Sequence, residues 1–449
     1  MRLPSAQLTP LRIPGFRNLF FATSGSSVGT LLAAVALAID VKDRTASSTY
    51  SGLWVAAVLV VEFLPTIVVG LLLGPLLDRL ERRSLMIAAD ALRVGVFVAL
   101  PFASNAETVV GLALVAGLAT GFFRPAVYAG VPNLVPDEEL PNANALLQTV
   151  ENASWAIGPL VGGILTAGAG PSAAYGINAA SFVVSIALLL RIQPRQLQSE
   201  RALSRGHWSD LRDGFAAALH SPSMRAVLVG WGIASLAAGA GTVTEIFLAK
   251  NTFNAGDFGY GLLLGAIGGG LVLGSFASGE VLSRYGVARV YGVGLAVMAV
   301  GYFATAASPD VWVAAGWCIV VGVGNGTAIA CNALLVQRGV FDVMRGRALT
   351  FVMSATFALA GVGNGVGGLF VHRVGPRWIW GVAGGVLLVA ALAGSVLARH
   401  QGDETASEAE LAATEAAPEE EWGLWPGEDE LRRLESAVSG GVRAESTES

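Results

Sequence analysis

Apolar runs of about 20 residues recur along this chain, and they constrain its fold more than any other feature. A bilayer core about 30 Å thick needs roughly 20 apolar residues per helical span, so each run is long enough to cross a membrane. The candidate spans lie at about 18–40, 52–76, 84–103, 108–130, 143–168, 173–192, 225–248, 258–283, 288–307, 311–336, 347–371 and 377–398. The fifth of these twelve runs is the weakest, because Glu151, Asn152 and several glycines interrupt it.

The composition argues against a water-soluble fold. The 449 residues are 53% hydrophobic and 14% charged, whereas soluble domains carry about 25% charged residues. A soluble fold this apolar would expose large adhesive patches. We therefore predict an all-α integral membrane protein whose solvent is lipid.

The basic residues predict the orientation of the chain. On one side of the membrane, the N-terminal segment, the connections between spans and the span ends beside them carry eighteen Lys and Arg side chains, without counting the distal tail. The other side holds five: Lys42, Arg44, Lys250, Arg373 and Arg377. Since cytoplasmic loops carry the excess of positive charge, both termini are predicted to be cytoplasmic, in the plasma or inner membrane of the cell.

Five segments make up the predicted domain organisation. They are a cytoplasmic N-terminal segment (1–17), a six-helix bundle (18–192), a cytoplasmic linker (193–224), a second six-helix bundle (225–398) and an acidic cytoplasmic tail (399–449). The linker stretch "HWSDLRDGFAAALH" is either a helix lying on the membrane surface or a plain tether. Residues 401–449 carry a net charge of −11, against +6 for residues 1–400. The tail composition predicts disorder, with a short helix on a partner as the alternative.

A repeat at constant offset relates the two bundles. "GPLLDRLERR" at 74–83 aligns with "GEVLSRYGVA" at 279–288, and "GPLVGG" at 158–163 aligns with "GNGVGG" at 363–368. Both offsets are 205 residues. Twelve spans in register at this offset predict two pseudo-symmetric six-helix bundles. Parallel repeats of this kind place a substrate cavity between the halves near the membrane midplane.

Several motifs resemble those of the major facilitator superfamily of transporters, over about residues 12–400. "GPLLDRLERR" resembles the signature loop between helices two and three, and "GPLVGG" resembles the helix-five motif of antiporters. "FFRPAVYAGVPNLVPDEELPNANALLQ" (122–148) and "RGRALTFVMSA" (345–355) resemble the drug:proton antiporter branch that includes macrolide and siderophore exporters. Arg124 stands where that branch usually has an apolar or small residue, which reflects either substrate chemistry or a local ion pair.

The resemblance implies a cytoplasmic gate at the helix 2–3 turn. Its residues would be Gly74, Asp78, Arg79, Arg82 and Arg83. The resemblance places the aspartate near the N-terminal end of helix eleven and implies that the arginines pair locally. A carboxylate at a helix N-terminus gains about 0.3–1 kcal/mol, a suitable size for a contact that breaks in every cycle. Alternatively, the arginines only anchor the topology.

Ionisable residues inside the spans are candidates for proton coupling, since each costs about 2.5–3.5 kcal/mol at the bilayer centre. Glu62 has no local partner. Asp40 and Glu245 differ by 205 residues and therefore occupy matching positions in spans one and seven. The resemblance implies that both spans line the cavity. Burial in an apolar cavity favours the neutral form of a carboxyl group, so these groups can exchange protons as the cavity opens and closes.

Other in-span residues have structural interpretations. Asp40 alternatively pairs with Lys42 or Arg44 at the outer surface. Asp90 and Arg93 lie three apart on one helix face and are expected to form an ion pair. The helix-five motif is expected to bend that helix and pack it tightly against its neighbour in the same half; its residues are Gly158, Pro159, Gly162 and Gly163.

The sequence predicts a transporter and not an enzyme. It contains no Gly-x-x-x-x-Gly-Lys-Ser/Thr motif, which disfavours ATP-driven transport. No cofactor, metal or nucleic-acid partner is expected. We predict a monomeric proton-coupled exporter of amphipathic or hydrophobic small molecules, with the substrate, protons and the lipid bilayer as its partners. The alternatives are uptake, dedicated export of one metabolite such as a siderophore, or a non-transporting scaffold or sensor whose acidic tail binds a protein.

Overall fold

The computed structural model describes residues 5–77, 80–197, 222–339 and 345–399. These residues form twelve long α-helices, one for each predicted span. They are α1 (Pro14–Arg44), α2 (Ser51–Leu77), α3 (Arg82–Ala99), α4 (Ala106–Leu134), α5 (Leu140–Ala169), α6 (Pro171–Leu189), α7 (Pro222–Phe247), α8 (Gly256–Tyr285), α9 (Val287–Ala307), α10 (Val311–Gly339), α11 (Arg345–Val374) and α12 (Pro376–Arg399). The linker stretch with the predicted surface helix and the acidic tail lie outside the described residues.

The 205-residue repeat relates the starts of five helices in each half. Helices α2 to α6 begin at Ser51, Arg82, Ala106, Leu140 and Pro171, and α8 to α12 begin 205 residues later, at Gly256, Val287, Val311, Arg345 and Pro376. The predicted arrangement of two pseudo-symmetric six-helix bundles is confirmed.

One turn shows how the sequence fixes this repeat locally. Gly170 ends α5 with a φ of +77°, and Gly375 ends α11 with a φ of +84°. Glycine adopts this left-handed conformation without a Cβ penalty. A proline follows each glycine and starts the next helix, where its fixed φ is helical and its missing N–H costs nothing. The same Gly-Pro pair therefore makes the same one-residue connection in both halves.

The outer surface of the bundle is apolar. Phe276 and Leu392 are each 69% exposed, and many other large hydrophobic side chains also face outward. Ten of the helices are long and apolar enough over their described residues to cross a membrane; α2 and α5 are the two outside this set. α5 contains Glu151 and Asn152, the polar residues that make it the weakest span in the sequence. The protein is a multi-pass membrane protein.

The helices alternate in direction, so their connections form two faces. We call the face with the α1–α2, α3–α4, α5–α6, α7–α8, α9–α10 and α11–α12 connections the odd-loop face, and the opposite one the even-loop face. Between the halves, α5 packs along α8, and α2 packs along α11. These two contacts are related by the repeat, because α11 corresponds to α5 and α8 corresponds to α2.

Glycine pairs allow both inter-half contacts to be close. A Cβ on Gly163 of α5 would lie 2.7 Å from the Cα of Gly261 on α8, and a Cβ on Gly368 of α11 would overlap the carbonyl of Gly52 on α2. Gly163 and Gly368 are the last glycines of the two repeated motifs. All four glycines lie toward the odd-loop face, so the halves pack backbone against backbone there.

Candidate functional site

A cavity of about 160 Å³ lies within the helical bundle. Its wall comes from α1 to α6, and Phe357 of α11 is the contribution from the other half among the residues described. Trp155 precedes Gly163 along α5, and Phe357 precedes Gly368 along α11; both helices run toward the odd-loop face. These two side chains therefore lie on the even-loop side of the glycine contacts, whereas Phe97 and Ala113 of the wall lie near the odd-loop ends of α3 and α4.

Helix α1 presents a row of hydroxyl groups to this cavity. The row consists of Thr23, Ser26, Ser27 and Thr30, whose spacing of three and four residues puts them on one helix face. Ser26 and Thr30 donate to carbonyls of their own helix, at 3.1 and 2.8 Å. The buried Thr23 Oγ1 has no hydrogen-bond partner among the described residues. Helix α1 thus supplies a polar strip on which the buried Thr23 hydroxyl is left available.

Glu62 of α2 lines the same cavity with a side chain that is almost fully buried. Its position depends on a close contact between α2 and α4, where a Cβ on Gly117 would overlap the carbonyl of Val61 and come within 3.2 Å of Pro65. Its Oε2 has no hydrogen-bond partner in the described part of the chain. An acceptor in that situation costs about 1–3 kcal/mol unless something else satisfies it.

Arg93 of α3 forms another part of the wall. Its guanidinium lies between the rings of Phe123 and Phe182, 4.4 and 4.3 Å from their centroids. It donates to Asp90, whose second oxygen accepts from Ser185 at 2.6 Å. The buried Nε has no hydrogen-bond partner among the residues described. The cation is thus fixed by aromatic faces and by one carboxylate, and its buried Nε–H is left without a partner among the described residues.

An ion pair between α4 and α5 completes the polar part of the cavity. Arg124 donates to both Glu151 oxygens, at 3.0 and 3.1 Å. The arginine side chain is 49% exposed, and the glutamate side chain is 17% exposed. Tyr128 and Trp155 line the cavity beside this pair. Arg124 therefore forms the local ion pair that was one of the two alternatives, and it also lines the cavity.

Asp40 and Glu245 do not line this cavity in the described residues. Asp40 pairs with Arg44, with Nε 2.7 Å from Oδ1, and accepts from the hydroxyl of Tyr175 at 3.1 Å. Glu245 of α7 is 2% exposed, and its Oε1 has no hydrogen-bond partner in the part of the chain that the structure describes. Asp40 thus has a cation as its partner, whereas Glu245, at the repeat-related position, has none among the described residues.

The described residues of the predicted gate make contacts within the first half. Arg82 donates to the carbonyls of Ala129 and Leu197, each at 2.9 Å. Arg83 donates to the carbonyls of Leu189 and Leu190, at 3.2 and 2.9 Å. These two arginines tie the start of α3 to α4 and to the end of α6. Gly74 lies near the end of α2, while Asp78 and Arg79 fall outside the described residues.

The helix-five motif packs α5 in two directions. A Cβ on Gly158 would lie 2.7 Å from Leu31 Cβ, and one on Gly162 would lie 2.5 Å from the Leu32 carbonyl, so both glycines face α1. Gly163 instead faces Gly261 in the other half. Gly158 and Gly162 therefore pack within their own half, as expected, whereas Gly163 contacts the other half.

A cluster of charges at the odd-loop face was not anticipated from the sequence. Lys250, in the π-helical turn Leu248–Thr252, donates to Asp43 at 2.7 and 2.9 Å and to Asp257 at 2.6 Å. The ammonium of Lys42 lies 5.3 Å from the ring centroid of Phe247. The charges are visible in the sequence beside helix ends, but the pairing of α1 with α7 requires the fold. Residues 5–77, 80–197, 222–339 and 345–399 contain no cluster of His, Cys, Asp and Glu suited to a metal ion.

Proteins of similar sequence are transporters. The chain is 29% identical to the uncharacterised MFS-type transporter YkuC of Bacillus subtilis over 52% of this chain and 56% of that protein. It is 28% identical to the enterobactin exporter EntS of Shigella boydii over 55% of this chain and 59% of that protein. Macrolide efflux protein A of Enterococcus faecalis is 27% identical over 37% of this chain and 54% of that protein. The chain thus spans little more than half the length of these relatives.

Solved transporter structures share the fold. A bacterial homologue of the iron transporter ferroportin, in an inward-facing state, superposes with a TM-score of 0.66 at 16% identity, over 86% of this chain and 98% of that one. A POT family transporter, solved with a thioalcohol-conjugated peptide, has a TM-score of 0.68 at 12% identity, over 86% and 96%. At these identities the likeness concerns the fold alone.

The family assignment rests on most of the chain. The family model described as "Transmembrane secretion effector" matches residues 5–421. This match and the MFS-type relatives confirm the resemblance to the major facilitator superfamily. The chain belongs to the transmembrane secretion effector family of MFS-type transporters.

Proposed function

We propose that this protein is a proton-coupled exporter of amphipathic small molecules that works by alternating access of its two halves. The observation that carries the proposal is the cavity, where three buried polar atoms without partners meet aromatic walls. They are Thr23 Oγ1, Glu62 Oε2 and Arg93 Nε. Relatives named as efflux proteins and as an enterobactin exporter support export as the direction.

The chemistry of the wall fits an amphipathic ligand. Phe97, Phe123, Phe182, Trp155 and Phe357 supply apolar and aromatic surface. Two of the partnerless atoms offer a donor and an acceptor, and the hydroxyl offers either. Because an unsatisfied buried polar group costs about 1–3 kcal/mol, a ligand that satisfies all three while covering the rings gains both kinds of contact.

Glu62 is the proposed point of competition between proton and substrate. Arg93 has Asp90, and Arg124 has Glu151, so Glu62 is the cavity-lining ionisable group without an ion pair among the described residues. A buried carboxyl without a counter-charge favours its neutral form. A substrate that offers a cationic or hydrogen-bond-donating group stabilises the ionised form. Proton and substrate then bind Glu62 in alternation, which is the requirement for exchange.

Alternating access follows from the way the halves meet. The glycine contacts hold the halves together at the odd-loop face, and the Lys250–Asp43 pair aligns them there. With both termini cytoplasmic, as the basic loops predict, the even-loop face is the cytoplasmic one, and a bundle held together at the odd-loop face would open its cavity toward the cytoplasm. The gate residues Gly74, Asp78, Arg79, Arg82 and Arg83 would then close the even-loop face in the other half of the cycle.

Efflux from proteoliposomes tests this function. Purified protein is reconstituted, a pH gradient is imposed, and the movement of a macrolide, a lipophilic cationic dye and a tris-catechol siderophore is followed. We expect gradient-driven movement of at least one compound and its loss in Glu62→Gln. Glu280→Gln removes a carboxylate whose side chain is 74% exposed and serves as the matched control. The proposal fails if the gradient moves none of these compounds, or if Glu62→Gln transports as well as the control variant.

Dedicated export of one metabolite is the second candidate. The observation that favours it is the Arg124–Glu151 pair, since a fixed polar pair in a cavity recognises one arrangement of ligand groups better than many. Under this alternative, the proteoliposomes move one compound class only, and Arg124→Ala abolishes that movement. Under the broader proposal, Arg124→Ala changes the relative rates of several compounds.

A further inference from the structure

We propose that Glu245 is a second proton-binding site, located in the other half of the molecule and separate from the substrate cavity. The inference rests on the proposed proton coupling and adds a site to it. Its basis is a comparison of the two halves, position by position, through the 205-residue repeat.

The first half neutralises its carboxyl with a permanent cation. Asp40 accepts from Arg44 and from Tyr175, and the Tyr175 ring lies 6.1 Å from that of Phe97. Each of these four positions has a repeat-related residue in the second half: Glu245 for Asp40, Ala249 for Arg44, Trp380 for Tyr175 and Tyr302 for Phe97. The rings of Tyr302 and Trp380 are likewise packed together, stacked at 4.6 Å.

The second half keeps the carboxyl and lacks the cation. Ala249 is fully buried and carries no charge where Arg44 stands in the first half. Glu245 Oε1 and Trp380 Nε1 are both buried without hydrogen-bond partners among the described residues. A buried carboxylate without a cation is far more costly than a buried carboxylic acid. Glu245 is therefore expected to hold a proton in this conformation.

Among the described residues, the ionisable groups around Glu245 supply no alternative counter-charge. The second half also buries Tyr260 of α8, Tyr302 of α9 and Cys318 of α10, and none of these side chains can carry a positive charge. The basic side chains of this region have other contacts: Lys42 with Phe247, Lys250 with Asp43 and Asp257, His372 of α11 with Phe247, and Arg377 of α12 with the Ser308 carbonyl.

The location of Glu245 indicates from which side of the membrane its proton would bind. It lies one turn before the π-helical turn that carries Lys250, close to the odd-loop face. Opening of that face would bring water to Glu245, and a proton would bind from that side. Closure would then bury the neutral acid, as in this structure.

Difference infrared spectroscopy tests the site directly, because a protonated carboxyl has its own C=O stretching band. We expect Glu245→Gln to remove one such band from the purified protein. Ala249→Arg installs the cation of the first half and is also expected to remove it, while Ala249→Met, equally long but uncharged, keeps it. The mirror variant Arg44→Met is expected to create a new band from Asp40.

The outcomes separate this proposal from the broader function. It is overturned if Glu245→Gln leaves every protonated-carboxyl band in place, or if Ala249→Arg and Ala249→Met give the same spectrum. If Ala249→Arg does not fold, Glu245→Gln and Arg44→Met decide. In proteoliposomes, Glu245→Gln is expected to keep substrate binding and lose gradient-driven accumulation, whereas Glu62→Gln loses both. If the pH gradient drives no substrate movement by the wild-type protein, the proton-coupled function is refuted. The infrared band would still report whether Glu245 holds a proton.

Discussion

At the scale of single residues, the Asp90–Arg93 ion pair shows that one half buries charge where the other buries hydrocarbon. The repeat-related positions of Asp90, Arg93 and Ser185 are occupied by Leu295, Met298 and Ala390, all of them buried. The fold thus accommodates both versions of the cluster. Since a buried ion pair is weak evidence for stability, a different reason for its retention is needed. Arg93 lines the cavity, which gives the pair a use in binding.

Exchanging the two versions tests whether the pair is needed for stability. Arg93→Met is expected to lower the free energy of unfolding by about 3–5 kcal/mol, because it leaves Asp90 buried without its cation. The triple variant Asp90→Leu, Arg93→Met, Ser185→Ala is expected to regain most of this loss, since well-packed apolar residues often replace a buried ion pair at little cost. Thermal unfolding in detergent measures both. Equal losses in the single and triple variants would contradict this account.

At the scale of helices, the glycine contacts decide where the halves meet. The spacing of the two motifs in the sequence was enough to reveal the repeat, because both copies keep their glycines 205 residues apart. Their partners Gly261 and Gly52 were not identifiable from the sequence. The chain holds 57 glycines, and only the packing of α5 on α8 and of α11 on α2 distinguishes these from the rest.

Adding a side chain at one of these contacts tests its importance. Gly163→Val is expected to destabilise the protein by about 1–3 kcal/mol, because overpacking forces neighbouring atoms to shift and the facing atom is backbone. Gly168→Val, on the same helix but with no atom within 4 Å of its Cβ position, is the matched control. Melting temperatures of the two variants give the comparison. A similar decrease in both would show that the contact with α8 does not matter.

At the scale of the whole molecule, the Lys250–Asp43 pair and the two glycine contacts close one face of the bundle together. The exposed ion pair alone is worth little, about 0–1 kcal/mol. The glycine contacts, in contrast, bury backbone against backbone. The ion pair is therefore better suited to aligning the halves as they close than to holding them closed.

Cross-linking this face tests whether transport requires it to open. In the double variant Asp43→Cys, Lys250→Cys, a short thiol-specific cross-linker is expected to join the halves and abolish transport, and reduction of a cleavable linker is expected to restore it. The native Cys318 and Cys331 are buried and are left in place. Each single cysteine variant serves as a control. Full transport by the cross-linked protein would refute alternating access through this face.

The fold was largely predictable from the sequence, and the site only in part. Hydrophobic runs and the 205-residue repeat are local or periodic signals, so the twelve helices and two bundles follow from them. Glu62 was identifiable as a charge without a local partner, and the Asp90–Arg93 pair was identifiable from its spacing. The aromatic faces around Arg93 come from α4 and α6, and the partner of Arg124 comes from α5. Such contacts depend on how the helices rotate against each other, which apolar composition does not encode.

The uneven lining of the cavity has a consequence for how such a protein changes over time. Nearly every described side chain that would touch a ligand belongs to one half, with Phe357 as the contribution of α11. Under the proposed function, changes of ligand preference can therefore accumulate on α1 to α6, around Glu62, while Glu245 and its surroundings in the other half stay as they are. A lineage can then acquire a new cargo without altering the proposed second proton site.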